Sequence, residues 1–295
     1  MSEKALPQTV GVFGLGLIGY SLAQRLMAAG VDVYGHDPAP DCMEKLRNAG
    51  GQPVVAEEVW TCDVLLSAVF DTAQLASLIA RAPKDTGKCL ISMSTCDPAE
   101  MPQIALKAAA KGIELLEAPI SGTSADLANG NAVLLIAGEE QTALELAPLF
   151  CSLSRAHYFV GTMGNGNRAK LAINLILGLG RAALAEGLVF AKAIGLNPET
   201  FFEVARDSAA ASKVMESKGP KMVAGDFAPL GRIAQSVKDF DLIRETARQA
   251  GQGLPMTERY IEIVADNIEH GEGGLDNSAV MLAVERARMP WNAKG

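Results

Sequence analysis

Residues 11–30 read GVFGLGLIGYSLAQRLMAAG and place three glycines, Gly14, Gly16 and Gly19, between an apolar run and an amphipathic one. Glycine weakens both strands and helices, so three glycines at such a junction require a structural or functional explanation. The G-x-G-x-x-G spacing is typical of a turn that ends a strand and opens a helix at a dinucleotide pyrophosphate. A purely structural turn can have the same sequence, so the surrounding residues must distinguish it from a dinucleotide site.

The second apolar run supports the dinucleotide interpretation. It ends in YGHDP, and Asp37 follows Gly19 at close to the ~20 residues expected for the acidic residue that binds the adenosine ribose. In this role Gly14 permits the tight turn, Gly16 lets the backbone approach the pyrophosphate, and Gly19 lets helix and strand pack closely. Asp37 would repel a 2′-phosphate, so the sequence predicts NAD rather than NADP. The alternative is that Asp37 only caps a helix before Pro38 and that the glycine turn is merely structural.

Composition narrows the class of protein. The chain has 295 residues, of which 49% are hydrophobic, and this is enough for two domains. Its formal net charge of −8 argues against a nucleic-acid partner, and we expect neither a membrane span nor a signal peptide. Five cysteines without a C-x-x-C pair predict thiols of a reducing cytoplasm, and three histidines without a Cys/His cluster predict no metal site.

Two kinds of pattern divide the chain. The first half alternates apolar runs with helical periodicity, which predicts an α/β Rossmann domain with a parallel, doubly wound sheet and an antiparallel edge at NGNAVLLIAG. Beyond this half we predict an all-α C-terminal domain. The expected domains are residues 1–164 and 165–295, which meet at a glycine-rich hinge near Gly164–Asn167. The predicted strands are Val10–Gly14, Val31–Gly35, Val64–Phe70, Lys88–Met93, Ile113–Ala118, Ala132–Ala137 and Tyr158–Val160, and the predicted C-terminal helices are Leu171–Gly195, Pro198–Ala210, Leu230–Gly251, Glu258–His270 and Asp276–Met289.

The first C-terminal helix is apolar on nearly every face, which is typical of a buried helix. We expect it to run through the middle of its domain, and it could also help form a subunit interface. At its start, in GNGNRAKLAIN, Lys170 and Asn174 are four residues apart and share a face. A buried ammonium is costly unless it is paired, and a lysine desolvated beside a substrate can act as an acid or base. The alternative is a lysine that extends to solvent with Asn174 as its partner.

Two further segments follow predicted strands. SMSTCDP places small hydroxyl residues, among them Thr95, at the carboxyl edge of the sheet, where ligands bind in open α/β folds. Thr95 could instead cap a helix. In EAPISGTSADLANG, Ser121, Gly122 and Thr123 could offer hydroxyl and backbone N–H donors to a carboxylate, or they could form an ordinary Gly/Ser loop.

Together these segments resemble the β-hydroxyacid dehydrogenase family, and the resemblance covers nearly the whole chain. GLGLIGYSLAQRL is similar to its G-L-G-x-M-G motif, MSTCDP to its S-T-x-x-P element, and APISGTSADLANGNAVLLIAG to its A-P-V-S-G-G substrate motif. GNGNRAKLAIN is similar to G-x-G-x-x-x-K-x-x-N-N, and SVKDFDL resembles the late K-D-L element. Five motifs in this order form a specific combination.

The resemblance implies an NAD-dependent oxidoreductase that interconverts a small 3-hydroxy acid and its semialdehyde or keto acid. It implies a small carboxylate as substrate and a homodimer or homotetramer as the assembly. Lys170 is implied to be the catalytic acid or base, and Asn174 to orient the substrate and the lysine. The other implied roles are substrate binding by Ser121, Gly122 and Thr123, and cofactor binding by Gly14, Gly16, Leu17, Ile18, Gly19, Asp37, Val69, Thr95 and Lys238.

Departures from the family pattern lie in the substrate-facing segments. Thr123 stands where a second glycine is usual, Ile173 replaces the first asparagine of the N-N pair, and Arg232 takes a usually apolar position. We hypothesise that Thr123 and Arg232 indicate a polar, hydroxyl-rich or doubly anionic substrate. Without the resemblance, Lys238 and Asp239 would be interpreted as a solvated surface pair.

Three alternative functions stay open. Imine reduction uses the same architecture, but that branch lacks a lysine at the position of Lys170. A 6-phosphogluconate dehydrogenase proper has a larger helical domain than this chain offers. A non-catalytic dinucleotide-binding protein need not keep both Lys170 and Asn174.

Overall fold

The computed structural model describes residues 6–287, and their contacts divide the chain into two units. The first unit ends at Leu171 and the second begins at Ala172. The change of unit therefore falls within the long helix that begins at Asn165, inside the glycine-rich segment.

A parallel sheet forms the centre of the first unit. Its strands are β1 (Thr9–Phe13), β2 (Asp32–His36), β3 (Gln52–Pro53), β4 (Val64–Ser67), β5 (Lys88–Ser92) and β6 (Ile113–Glu117). The order β3-β2-β1-β4-β5-β6 is that of a dinucleotide-binding fold, whose two halves meet between β1 and β4. The predicted parallel sheet is confirmed. The last residues of β1, β4, β5 and β6 pair in register, so these strands end along one common edge.

Helices connect these strands and cover both faces of the sheet. They are α1 (Leu17–Ala28), α2 (Pro40–Asn48), α3 (Ala56–Val59), α4 (Thr72–Arg81) and α5 (Met101–Ala109). Leu66 of β4 belongs to a buried cluster with Leu22 of α1, whereas its neighbour Leu65 belongs to a second cluster with Leu75 of α4. Because both faces are covered, the strands are near-continuous apolar runs rather than alternating ones.

A smaller sheet completes the first unit. It contains β7 (Ile120–Ser121), β8 (Val133–Ile136) and β9 (Ala156–Phe159), and it is accompanied by α6 (Ser124–Ala128), α7 (Glu140–Glu145) and α8 (Ala147–Leu153). Strand β8 pairs antiparallel with β7 and parallel with β9. An antiparallel bridge between Glu117 and Ala137 joins this sheet to the end of β6. The predicted antiparallel segment is therefore present, but within a separate small sheet.

The second unit is helical, as predicted. Helix α9 (Asn165–Ala193) starts in the first unit and continues into the second. The elements that follow are α10 (Pro198–Asp207), α11 (Lys213–Ala224), α12 (Ile233–Gln249), α13 (Pro255–Glu269), a 3₁₀ turn (Asn277–Ala279) and α14 (Val280–Arg286). The predicted helix end at Met289 lies outside the described residues.

Helix α11 is not predicted from its sequence, because Gly219 and Pro220 interrupt it and proline inside a helix costs about 3 kcal/mol or more. The structure continues the helix through Pro220 and ends it at Gly225 in the left-handed conformation. A Cβ on Gly219 would lie 2.0 Å from a ring carbon of Phe202 in α10. Gly219 thus allows α10 and α11 to pack closely, which a sequence pattern does not reveal.

Within a single chain, helix α9 is buried on part of its surface and exposed on the rest. Ile176 is 68% exposed and Phe190 is 65% exposed, whereas Leu184 and Leu188 are buried. By length and composition α9 could also cross a membrane, although core helices of soluble proteins meet the same criteria. An apolar sequence indicates that a helix face avoids water. It does not indicate whether the same chain or another surface covers that face.

Candidate active site

The glycine turn joins β1 to α1 at the common edge of the sheet. Gly14 has a φ of +85°, and its N–H donates to the carbonyl oxygen of His36 at 2.9 Å. A Cβ on Gly19 would lie 1.8 Å from the carbonyl oxygen of Gly14, so the close packing there requires glycine. A Cβ on Gly16 would meet no protein atom within 4 Å. The space beside Gly16 is therefore open to a ligand.

The first turn of α1 fits an anionic group. Gly16 is the N-cap and provides no side-chain acceptor, and the described residues of the first turn include no acidic side chain. Free N–H groups and the helix dipole favour a phosphate at such a helix start. Leu17 is exposed at this end, whereas Ile18 packs against the apolar core. These residues fit the pyrophosphate of a dinucleotide.

Asp37 follows β2 and contacts the glycine turn. Its Oδ2 accepts a hydrogen bond from the backbone N–H of Leu15 at 2.7 Å, and its Oδ1 accepts one from Ala39 at 2.8 Å. The second bond closes a local turn over Pro38, and the first fixes the glycine turn. Asp37 does not cap α2, whose N-cap is Ala39. Each carboxylate oxygen keeps a lone pair that can accept from a ribose hydroxyl.

The loops after β4 and β5 continue this edge. The carbonyl oxygen of Val69 accepts a hydrogen bond from Ser94 Oγ at 2.7 Å, and Thr95 is buried. The backbone N–H of Cys96 donates to Oδ1 of Asn167 at 2.7 Å. The loop that holds Thr95 is therefore tied to the first turn of α9.

Thr123 is the N-cap of α6. Its Oγ accepts from the backbone N–H of Asp126 at 3.1 Å and donates to the Asp126 carboxylate at 2.7 Å. Ser121 ends β7, and Gly122 has a φ of +143°. Because the hydroxyl proton of Thr123 is held by Asp126, Thr123 can only accept a hydrogen bond from a substrate. Its predicted part in substrate binding stays a prediction.

Glu117, at the end of β6, is a fully buried carboxylate with no predicted role. It accepts hydrogen bonds from the backbone N–H of Gly164 at 2.5 Å, from that of Asn167 at 3.3 Å and from the Asn167 side-chain amide. Burial raises the pKa of Glu117, against the opposing effect of these hydrogen bonds. The partners are 47 and 50 residues away in the chain, so a local pattern cannot reveal them. The one sequence signal is a charged residue that closes an apolar strand.

Lys170 lies in the second turn of α9, within the first unit, and is only 9% exposed. The structure therefore does not support the alternative of a lysine that extends to solvent. Asn167, which is bound to Glu117, precedes it by three residues and so by about one turn of helix. A lysine held among protein atoms at a helix start can present its Nζ to a bound molecule without a full hydration shell.

In the second unit, Asp239 connects two predicted site residues. Its Oδ2 accepts from Nδ2 of Asn174 at 2.8 Å, and its Oδ1 accepts from Nε2 of Gln235 at 3.1 Å and lies 3.3 Å from Nζ of Lys238. The side chains of Lys238 and Asp239 are 15% and 9% exposed, so this is not a solvated surface pair. The orientations of Asn174 and Lys238 therefore depend on one buried carboxylate.

A buried ion pair holds the segment that leads into α12. Lys218 Nζ lies 2.9 Å and 3.0 Å from the two carboxylate oxygens of Asp276, which also accept from the backbone N–H of Leu230 at 2.8 Å. Burial lowers the pKa of Lys218. Burial would raise the pKa of Asp276, but the ammonium and the backbone donors outweigh it and hold that pKa below its usual value. Arg232, the exposed N-cap of α12, pairs with Asp276 through its backbone.

Comparisons with known proteins agree with this architecture. Residues 9–163 match the model of the NAD binding domain of 6-phosphogluconate dehydrogenase, and residues 164–284 match that of the NAD-binding domain of NADP-dependent 3-hydroxyisobutyrate dehydrogenase. The chain is 28% identical to L-threonate dehydrogenase of Cupriavidus necator, over 98% of this chain and 100% of that protein. It is 28% identical to 2-hydroxy-3-oxopropionate reductase of Escherichia coli, over 94% and 97%.

A solved structure shows the same likeness. The crystal structure of 3-hydroxyisobutyrate dehydrogenase from Salmonella typhimurium superposes with a TM-score of 0.84 at 27% identity, and covers 93% of this chain and 99% of that one. The matches extend over both units, and the glycine turn and the sheet order are those of a dinucleotide-binding fold. The chain belongs to the β-hydroxyacid dehydrogenase family of NAD(P)-binding oxidoreductases.

Proposed function

We propose that the protein is an NAD-dependent dehydrogenase that interconverts a small 3-hydroxy acid and its semialdehyde or keto acid. The observation that carries this proposal is the buried Lys170, placed in the second turn of α9 beside a family-like glycine segment. Burying the ammonium of a lysine costs free energy that only polar or charged partners offset. An acid or base that works on a bound alcohol explains its presence.

The residues divide the chemistry among them. A bound nicotinamide supplies the acceptor for a hydride from the carbon that carries the hydroxyl. Lys170 Nζ takes the hydroxyl proton during oxidation and returns it to the carbonyl oxygen during reduction. Ser121 and Gly122 bind the substrate carboxylate, and Asn174 orients substrate and lysine. The Asn174 amide is held by Asp239, which restricts its rotation.

The proposed cofactor is NAD, with the pyrophosphate at Gly16 and the ribose at Asp37. Both Asp37 oxygens already accept backbone N–H groups, and ribose hydroxyls can use the remaining lone pairs. A 2′-phosphate would place like charges together at this carboxylate. The proposed cofactor contacts also include Val69 and Thr95 and, as the family resemblance implies, Lys238.

Steady-state oxidation of a panel of acids tests this function. The panel contains 3-hydroxyisobutyrate, D-glycerate, 4-hydroxybutyrate and L-threonate, each with NAD and with NADP; the reverse direction uses 2-hydroxy-3-oxopropionate. L-Threonate and 2-hydroxy-3-oxopropionate are included because two relatives are named for them. We expect turnover of at least one acid, with kcat/KM at least about tenfold higher for NAD, which corresponds to about 1.4 kcal/mol. Cofactor binding without any turnover would favour the non-catalytic alternative, and reduction of imines alone would favour the imine-reductase alternative.

We also propose that the protein is a cytoplasmic homodimer or homotetramer. The exposed apolar side chains of Ile176, Phe190 and Ile194, all on or directly after α9, support an assembly, since exposed apolar surface marks interaction sites. The five cysteines are all free thiols, as a reducing compartment requires. Light scattering on the purified chain should give a mass of two or four chains, and a monomer at micromolar concentration would contradict the proposal.

A further inference from the structure

Glu117 binds the start of the helix that carries Lys170. Its Oε2 accepts from the N–H of Gly164, and its Oε1 accepts from both the backbone N–H and the side-chain amide of Asn167. These three groups are all donors, and they lie at the start of α9. Glu117 therefore supplies acceptors and negative charge to a helix N-terminus, where both are stabilising.

Asn167 extends this contact to a second loop. While its Nδ2 donates to Glu117, its Oδ1 accepts the backbone N–H of Cys96 at 2.7 Å. Cys96 directly follows Thr95, and Asn167 has no exposed surface. One buried amide thus joins three parts of the first unit: the end of β6, the Thr95 loop and the helix of Lys170.

The helix start packs closely against the elements around this cluster. A Cβ on Gly166 would lie 2.9 Å from Cβ of Glu117 and 3.0 Å from the carbonyl oxygen of Leu135. Gly164 has a φ of +96°, and a Cβ there would lie 2.8 Å from the carbonyl oxygen of Pro98. Glycine at these two positions therefore lets the start of α9 approach Glu117 closely enough for its N–H groups to bond the carboxylate.

A helix start can be capped without a buried acid, since an exposed Ser, Thr or Asp serves that purpose. Burying a carboxylate removes it from water at substantial cost, which only good hydrogen bonds offset. We propose that Glu117 is a positioning residue for Lys170, which acts through Asn167 to hold the lysine in a fixed place relative to the Thr95 loop. This role rests on the proposed function.

Glu117→Gln tests the role with a side chain of the same shape. One of its two terminal atoms becomes an NH₂ group, which must face a donor from Gly164 or Asn167, so at least one hydrogen bond is lost. The matched control is Glu114→Gln, on the same strand, where the side chain is exposed. Asn167→Ala is the second variant, in case Glu117→Gln does not fold, because it breaks the link to Cys96 and leaves the carboxylate in place.

Kinetics and hydrogen exchange are measured on all four proteins. We expect Glu117→Gln and Asn167→Ala to lower kcat, measured per NADH-binding site, by about tenfold to a hundredfold. A displacement of a catalytic group such as Lys170 by about 1 Å can reduce the rate by about a hundredfold. NADH affinity should stay within about twofold of wild type, and the pH at which kcat/KM is half-maximal should move. Amide exchange in residues 164–170 should become at least about tenfold faster. Glu114→Gln should match wild type in every measurement.

The outcomes separate this role from the proposed function. Absence of turnover by the wild-type protein would overturn the proposed function and this role with it. Wild-type turnover with unchanged kcat and pH profile in Glu117→Gln and Asn167→Ala would overturn the positioning role alone. So would a loss of activity that only follows a loss of NADH-binding sites, because that describes a purely structural residue.

Discussion

Replacing Gly16 by alanine tests the pyrophosphate site with little effect on the fold. Gly16 has φ −63° and ψ −161°, a conformation that alanine also adopts, and its new Cβ would meet no protein atom within 4 Å. The expected loss of stability is that of an alanine N-cap in place of glycine, about 1 kcal/mol or less. Gly19→Ala offers the contrast, because its Cβ would lie 1.8 Å from a backbone oxygen and the fold itself would have to shift.

The cofactor should respond more strongly than the fold to Gly16→Ala. The added methyl group occupies the space where the pyrophosphate approaches, and it weakens hydrogen bonds to a charged group that contribute about 1.5–3 kcal/mol each. We therefore expect the dissociation constant of NADH to rise about tenfold to a hundredfold. Fluorescence titration gives the constant, and thermal unfolding of the same sample shows that the fold is intact.

The matched control is Gly187→Ala in α9, where a Cβ also meets no atom within 4 Å. It lies in the second unit, and we expect NADH to bind as it does to wild type. If Gly16→Ala binds NADH as tightly as Gly187→Ala does, the pyrophosphate does not lie at Gly16 and the interpretation of the glycine turn is wrong.

Three further predictions concern stability, each measured as the free energy of unfolding in denaturant. Asp276→Asn leaves Lys218 buried without a counter-charge and should cost about 3–5 kcal/mol, whereas Lys218→Met costs less because Asp276 keeps its backbone donors. Since the pKa of Asp276 is lowered by folding, its contribution is complete above about pH 4 and lost as pH falls through the folded value, where wild type and Asp276→Asn should converge. Thr123→Ala removes the α6 cap and should cost about 0.5–2 kcal/mol, which Thr123→Ser should largely restore. Gly178→Ala places a Cβ 2.3 Å from a ring carbon of Phe240 and should cost about 1–3 kcal/mol.

Each of these has a result that would contradict it. Equal losses from Asp276→Asn and Lys218→Met would show that the backbone donors do not stabilise the carboxylate. If Thr123→Ser lost as much free energy of unfolding as Thr123→Ala, loss of the helix cap could not be the cause of the destabilisation. A Gly178→Ala protein as stable as wild type would show that Phe240 has room to move.

Local signals in the sequence predict the start of the fold well. The glycine spacing, the apolar run before it and the distance to Asp37 all lie within one βαβ unit, so short-range geometry determines them. The same holds for the parallel sheet, whose strands are apolar because both faces are covered. The two-residue strands β3 and β7 are not predicted, because they are too short to show a hydrophobic periodicity.

The remaining features depend on contacts between distant residues. Helix α11 continues through Pro220, and Phe202 packs against Gly219 in the same helix. That close contact exists only in the folded chain. The sequence shows Glu117 only as a charged residue at the end of an apolar strand. It does not predict the hydrogen bonds of Glu117, because their donors are about 50 residues away in the chain. The cap at Thr123 could have been predicted, since T-S-A-D resembles a capping box, a motif that stabilises a helix start.

The proposed function depends on Lys170 as the group that accepts the hydroxyl proton of the substrate. A comparison of three proteins isolates this step. The kcat for oxidation of the best acid from the panel is measured with NAD for wild type, Lys170→Ala and Lys192→Ala, with NADH affinity measured in parallel. Lys192 is the control, since it is exposed on the same helix. We predict that Lys170→Ala lowers kcat by about 10²–10⁴-fold, with NADH affinity within about twofold of wild type, and that Lys192→Ala changes neither. Turnover by Lys170→Ala within about tenfold of wild type would contradict the account.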